Sequence, residues 1–390
     1  MVARDVDEAH RSATPLELLF DLTLVVAVAQ VARELAHDIA EDHLLDGLGV
    51  YAMAFFAIWW AWMNFTWFAS AYDCDDVGYR LLTLLQMAGV LVLAAGVPAM
   101  FEDKDFRAAT VGYVIMRIAL VAQWLRAAHG DPERRPTARR YATGVALLQA
   151  AWLARLALPE GPAFAGFFVL VALEMATPWW AERMGTTRWH PHHIAERYGL
   201  FTIIVLGESV LAATTAAEGA VSADGLSVAL VVTGAGSLAL LFALWWVYFL
   251  KDSAAGLARH RELAFLWGYG HYVVFASLAA VGAGLEVAAE AVSHQIPASD
   301  TLVAMTVAVP VSLFLLVVWA LHAPLGGTPA HGLLRMLPAV VACFVVVALV
   351  AAGLPLAWAV VLLCVPLAVL VAEHHWGRDE AAVSPVARDA

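Results

Sequence analysis

Carboxylates, arginines and histidines recur inside stretches of this sequence that are otherwise apolar. In "ERYGLFTIIVLGESV" (196–210), Glu208 follows "LFTIIVL" about a dozen residues into a segment that reads as one helix. At 100° per residue, His193, Arg197 and Glu208 fall within about 60° of each other and form one polar stripe. Earlier, in "ELLFDLTLVVAVAQV" (17–31), Glu17 and Asp21 share one helical face, while Thr23 and Gln30 share a nearly opposite one. Thr202 and Ser209 repeat that seven-residue spacing. Arg117, Glu174, His271 and Glu286 also lie within apolar runs. Such groups are expensive in lipid unless paired or wet, so each marks either an ion pair that holds the bundle or a path for an ion, proton or solute. By depth, Glu208 is expected to pair with Arg117, with Glu174 as the competing partner. Thr202 and Ser209 have the simpler reading of packing hydrogen-bonders.

The elements that position these residues follow from composition. Of 390 residues, 62% are hydrophobic and 14% charged, where a soluble domain has roughly a quarter charged. Mean hydropathy is +0.75. The sequence predicts an all-α polytopic membrane protein with twelve spans, near 16–36, 47–70, 81–101, 107–126, 139–158, 162–181, 194–217, 224–250, 264–289, 301–321, 332–352 and 354–373. Placing the N-terminus, the even-numbered loops and the C-terminus on one side collects 17 of the 22 Lys and Arg, which predicts cytoplasmic termini in the cell membrane. The N-terminal apolar run reads as a first span rather than a cleaved leader. A net charge of -12 argues against a nucleic-acid partner. Cys74, Cys343 and Cys364 fit no disulfide or metal spacing.

An offset of 179 pairs Glu17 with Glu196, Thr23 with Thr202, Val26 with Val205 and Val31 with Val210; Trp59 and Trp60 match Trp245 and Trp246 nearby. These matches predict two parallel six-helix repeats, 16–181 and 194–373, with a cytoplasmic N-terminal segment (1–15), connector (182–193) and tail (374–390). Parallel repeats are one transporter architecture.

At the cytoplasmic mouths, Glu17, Asp73, Asp76, Arg80, His193, Glu196 and Arg197 are expected to form a charged network. Glu17 has an alternative role as a first-turn residue after "SATP". "WHPHHIAER" also makes His190, His192, His193 and Glu196 weak metal candidates. An HExxH motif, a Ser/His/Asp order and a Gly-rich phosphate loop are all missing, so neither a metal nor another cofactor is expected, and an enzyme is disfavoured.

"TPLELLFDLTLVVAVAQV" and "HHIAERYGLFTIIVLGESVLA" closely resemble the two signature segments of the bacterial low temperature requirement A (LtrA) family of multi-pass membrane proteins. "WWAWMNFTWFASAYDCDDVGYRLLTLLQM" fits that family's second and third spans. By this resemblance Glu17, Phe20, Asp21, Asp73, Asp76, Arg80, His193, Glu196, Arg197, Gly199, Gly207 and Glu208 occupy motif positions, with "DCDD" in place of the usual "DTDD". The family implies a membrane protein without an established substrate.

The function expected from these features is movement of a small polar solute or ion, with proton coupling as one option, between two six-helix halves. The pathway candidates are Asp21, Gln30, Arg117, Glu174, Thr202, Glu208, Ser209 and His271. The alternative is a membrane-embedded enzyme, or a sensory or assembly protein, with a charged or metal site at the cytoplasmic face. Membrane lipids and an unknown small solute are the expected partners, and the oligomeric state stays open.

Overall fold

Helix formation begins where the sequence writes Thr-Pro-Leu-Glu. In the computed structural model of the chain, the Thr14 N–H donates to Glu17 Oε2 at 2.7 Å, and the Glu17 N–H donates to Thr14 Oγ1 at 3.3 Å. This reciprocal capping box, with Pro15 at the first helical position, starts α1 (Pro15–Ala40). The structure describes residues 1, 4, 8, 11–72, 74–293, 296–326 and 329–383.

There follow α2 (Leu44–Tyr72), α3 (Val77–Ala95), α4 (Val97–Glu102), α5 (Arg107–Gly130), α6 (Arg135–Arg155), α7 (Glu160–Glu182) and α8 (Pro191–Asp224). The chain continues through α9 (Val228–Tyr248), α10 (Ala254–Arg259), α11 (Ala264–Ala291), α12 (Asp300–Gly326), α13 (Pro329–Ala351) and α14 (Leu356–Val383). Among the described residues there is no strand. The chain is an integral membrane protein: among the described residues, 11 helices are long and apolar enough to cross a bilayer.

Two details correct the sequence reading. The expected span at 139–158 is present as α6 but is not among those 11, because Arg135, Arg139, Arg140 and Arg155 interrupt its apolar surface. The expected span at 81–101 is two helices. α3 ends at Gly96, and Pro98, which has no N–H to donate, sits in the first turn of α4. The last two expected spans are separate helices, divided at Gly353, whose φ of 104° suits glycine, and followed by Pro355.

The chain divides into two compact units, residues 1–31 with 50–197, and residues 32–49 with 198–390. In the first, α3 packs on α5, α5 on α6, and α6 on α7. The α3–α5 contact is close because Gly89 and Gly112 face each other; a Cβ on Gly112 would lie 2.4 Å from the backbone nitrogen of Leu93. Small residues of this kind let helix backbones approach in a membrane. Buried amides add polar contact there, with Gln86 Nε2 donating to Gln123 Oε1 at 2.8 Å and Gln123 Nε2 to Thr83 Oγ1 at 3.2 Å. In the second unit, α9 packs on α14, and α11 to α14 pack in sequence.

Candidate functional site

Three helices each contribute two side chains one turn apart to a buried polar cluster in the first unit. α1 supplies Glu17 and Asp21, α2 supplies Trp62 and Thr66, and α8 supplies His193 and Arg197. All six are 0% exposed. Arg197 Nη2 lies 2.6 Å from Asp21 Oδ1 and donates to Thr66 Oγ1 at 3.4 Å. Trp62 Nε1 donates to the same Asp21 oxygen at 2.8 Å. His193 Nε2 lies 3.1 Å from Glu17 Oε1, an ion-pair distance without hydrogen-bond alignment. Arg11 Nη2 stands 3.9 Å from that oxygen and donates to the Ala69 carbonyl at 2.7 Å. Phe20 stacks on Phe65 at 4.0 Å between centroids and encloses the cluster with apolar surface.

One Glu17 carboxylate oxygen caps α1 and the other faces His193 and Arg11. Several atoms of the cluster make no hydrogen bond, including Asp21 Oδ2, Arg197 Nε and Nη1, and His193 Nδ1. Buried charge costs several kcal/mol per ion unless its remaining donors and acceptors are met, so the arrangement suits a small polar guest or water that supplies those bonds.

The rest of the expected mouth network sorts differently. Asp76 caps α3, accepting from the Tyr79 N–H at 2.7 Å, and pairs with Arg126 at 2.6 Å. These two donors hold its carboxyl down at about 2. Arg80 pairs with Asp75 at 2.8 Å on the surface. Glu196 is partly buried, with Oε2 unbonded. Asp73 lies outside the described residues.

His190 is the N-cap of α8. Its Nδ1 accepts from the His193 N–H at 3.3 Å, so Nε2 carries the proton and donates to the Glu8 carbonyl at 2.9 Å. His192 is exposed. Among the described residues no three His, Cys, Asp or Glu side chains gather as metal ligands do.

A second buried ion pair sits in the same unit. Arg117 Nη2 lies 3.1 Å from Glu174 Oε2 and donates to Tyr113 Oη at 2.6 Å. Glu174 also accepts from Trp60 Nε1 at 2.8 Å and Trp152 Nε1 at 3.2 Å. This corrects the expectation that Arg117 pairs with Glu208. Glu174 and Glu208 have similar depth in sequence, and helix adjacency, which depth does not encode, selects Glu174.

In the second unit, Glu208 is half-buried, and Arg33 is the cation acting on it and on Glu286. Gly207 faces open space, while Gly199 meets the Phe249 ring. Thr202 donates to the Tyr198 carbonyl at 2.9 Å and Ser209 to the Val205 carbonyl at 3.2 Å, both within α8, and Ser209 also donates to the Leu278 carbonyl of α11 at 3.4 Å. His271 Nδ1 donates to the Trp267 carbonyl at 2.8 Å, and its Nε2 meets the Tyr248 hydroxyl at 3.1 Å. Gln30 is half-buried on α1.

The sequence reading missed Arg11, Trp60, Trp62, Thr66 and Trp152 as site residues. The signal for the three tryptophans was the presence of 15 Trp, whose indole N–H groups need acceptors when buried.

Comparison with known proteins follows this geometry. The family model for bacterial low temperature requirement A protein (LtrA) matches residues 12–372, a stretch that contains both buried ion pairs. The uncharacterized protein RA0937 of Rhizobium meliloti (strain 1021) is 27% identical over an alignment of 272 residues that covers 65% of this chain. The chain spans 64% of that relative's length.

Proposed function

The chain belongs to the bacterial low temperature requirement A (LtrA) family, and from that premise we propose that it moves a small polar solute or ion across the cell membrane. The supporting observation is the fully buried Asp21–Arg197 pair, flanked by polar atoms that make no hydrogen bond inside an apolar bundle. Hydrocarbon penalises such atoms, whereas a wet or ligand-bearing path satisfies them. Asp21 is the acceptor on this path, Arg197 its counter-ion, and Glu17 with His193 the adjacent pair. We read the chain as two parallel six-helix repeats with both termini cytoplasmic, in keeping with the distribution of Lys and Arg.

The test is flux. The purified chain is reconstituted in liposomes and screened against small ions and polar solutes, with and without a pH gradient. Selective flux that is lost in Asp21→Asn and Arg197→Gln supports the proposal, and dependence on the gradient identifies proton coupling. Turnover of a lipid or soluble substrate without flux refutes it and favours a membrane enzyme.

A further inference from the structure

Arg155, the last residue of α6, is a buried cation with no counter-ion among the described residues. It is 8% exposed. Its Nε donates to the Ala163 carbonyl at 2.6 Å. Its guanidinium carbon stands 5.4 Å from the ring centres of Phe106 and Phe167 and 5.8 Å from that of Trp152. No salt bridge to it is present among the described residues. Arg117, the other guanidinium buried against this region, has Glu174 at 3.1 Å. The two arginines share a neighbourhood, since Tyr113 accepts from Arg117 and lines the same cavity as Arg155.

That cavity is partly open to its surroundings and is walled by Phe56, Phe106, Tyr113, Trp152, Phe167 and Arg155. The lining of rings around one charge is typical of a small-molecule site. Ring faces offset part of the cost of an unpaired cation. An anion offsets more, and the planar guanidinium fork is built to take a carboxylate or phosphate through two parallel hydrogen bonds.

We propose that this cavity binds an amphipathic anion, with its carboxylate or phosphate on Arg155 and its apolar body against the surrounding rings. The site is separate from the Asp21–Arg197 cluster and does not depend on solute movement. Its ligand comes either from the bilayer, as an anionic lipid, or from solution, as a chain-bearing acid. The recognising chemistry is the same for both.

The experiment uses the full chain in nanodiscs of neutral phosphatidylcholine, with radiolabelled dodecanoate as the probe. Saturable binding is expected, competed by unlabelled dodecanoate and dodecyl phosphate but not by dodecanol, acetate or inorganic phosphate. Arg155→Gln should weaken it about thirtyfold or more, the loss that follows removal of one partner of a buried charge pair, while Arg155→Lys, which keeps the charge but loses the planar fork, should weaken it less than Arg155→Gln does. Because Arg155→Gln removes an unpaired buried charge, its Tm without ligand should equal or exceed wild type, and dodecanoate should raise the Tm of wild type alone. Displacement of the probe by phosphatidylglycerol added to the nanodisc assigns the ligand to the lipid; no displacement assigns it to solution. Absence of a saturable component, equal competition by dodecanol, or unchanged affinity in Arg155→Gln overturns the proposal. None of these outcomes bears on flux.

Discussion

Asp21 on α1 and Arg197 on α8 form a 2.6 Å ion pair in which neither side chain has any exposed surface. Truncating one partner of such a pair leaves an uncompensated buried charge, at a cost of about 3–5 kcal/mol. Asp21→Asn and Arg197→Gln should therefore each lower the thermal midpoint sharply, and the double variant should recover part of the loss. If the single variants match wild-type stability, the pair is not the structural clamp its burial implies.

The Arg117–Glu174 pair makes a contrasting prediction. Glu174→Gln should destabilise by about 3 kcal/mol or more, because Arg117 is 3% exposed and loses its counter-charge. Glu208→Gln should stay within about 0.5 kcal/mol of wild type, the usual range away from a buried network. Unfolding of both variants in one detergent gives the comparison; similar losses would mean that Glu208 also serves Arg117.

Close helix approach supplies a steric test. A Cβ at position 112 would sit 2.4 Å from Leu93 N and 2.5 Å from Gly89 O, both backbone atoms that cannot rotate away. Gly112→Ala should force α3 and α5 apart and cost about 1–3 kcal/mol. Gly207→Ala meets nothing within 4 Å and is the control, with an expected change near zero.

His190 makes stability depend on pH. Burial, ahead of its other influences, holds its imidazole below the ordinary 6.5 in the folded protein. The unfolded chain therefore takes up the proton first as pH falls. The His190 contribution is fully present above 6.5 and is lost progressively as pH drops from 6.5 toward the lower folded value. His190→Asn keeps an N-cap acceptor without titrating, so the stability difference between it and wild type should shift in favour of the variant between pH 6.5 and 5. His190→Ala should cost about 1 kcal/mol at pH 8, the worth of a cap. A difference between wild type and His190→Asn that does not change with pH would rule out this titration.

What the sequence determined by itself was local. Apolar run length led to twelve expected spans, and among the described residues 11 helices are long and apolar enough to cross a bilayer. Thr14 and Glu17 announce the start of α1, because a capping box needs only four consecutive residues. Glu17, Asp21, His193 and Arg197 could be singled out from their positions, since charges in apolar runs stand out in any window. The segment 81–101 was less legible: hydropathy averages across Gly96 and Pro98, but backbone hydrogen bonding does not. Which charge meets which was decided by the tertiary structure alone. Arg117 could reach Glu174 or Glu208 by depth, and it pairs with Glu174, joined by indoles from Trp60 and Trp152 that no local spacing connects to it. Of the expected mouth network, Asp76 pairs with Arg126 and Arg80 with Asp75, while Arg11 arrives from outside the helices. An ion pair is a choice among neighbours, and neighbours are set by how helices rotate and pack, which is energy shared across the bundle rather than carried by any one stretch of chain.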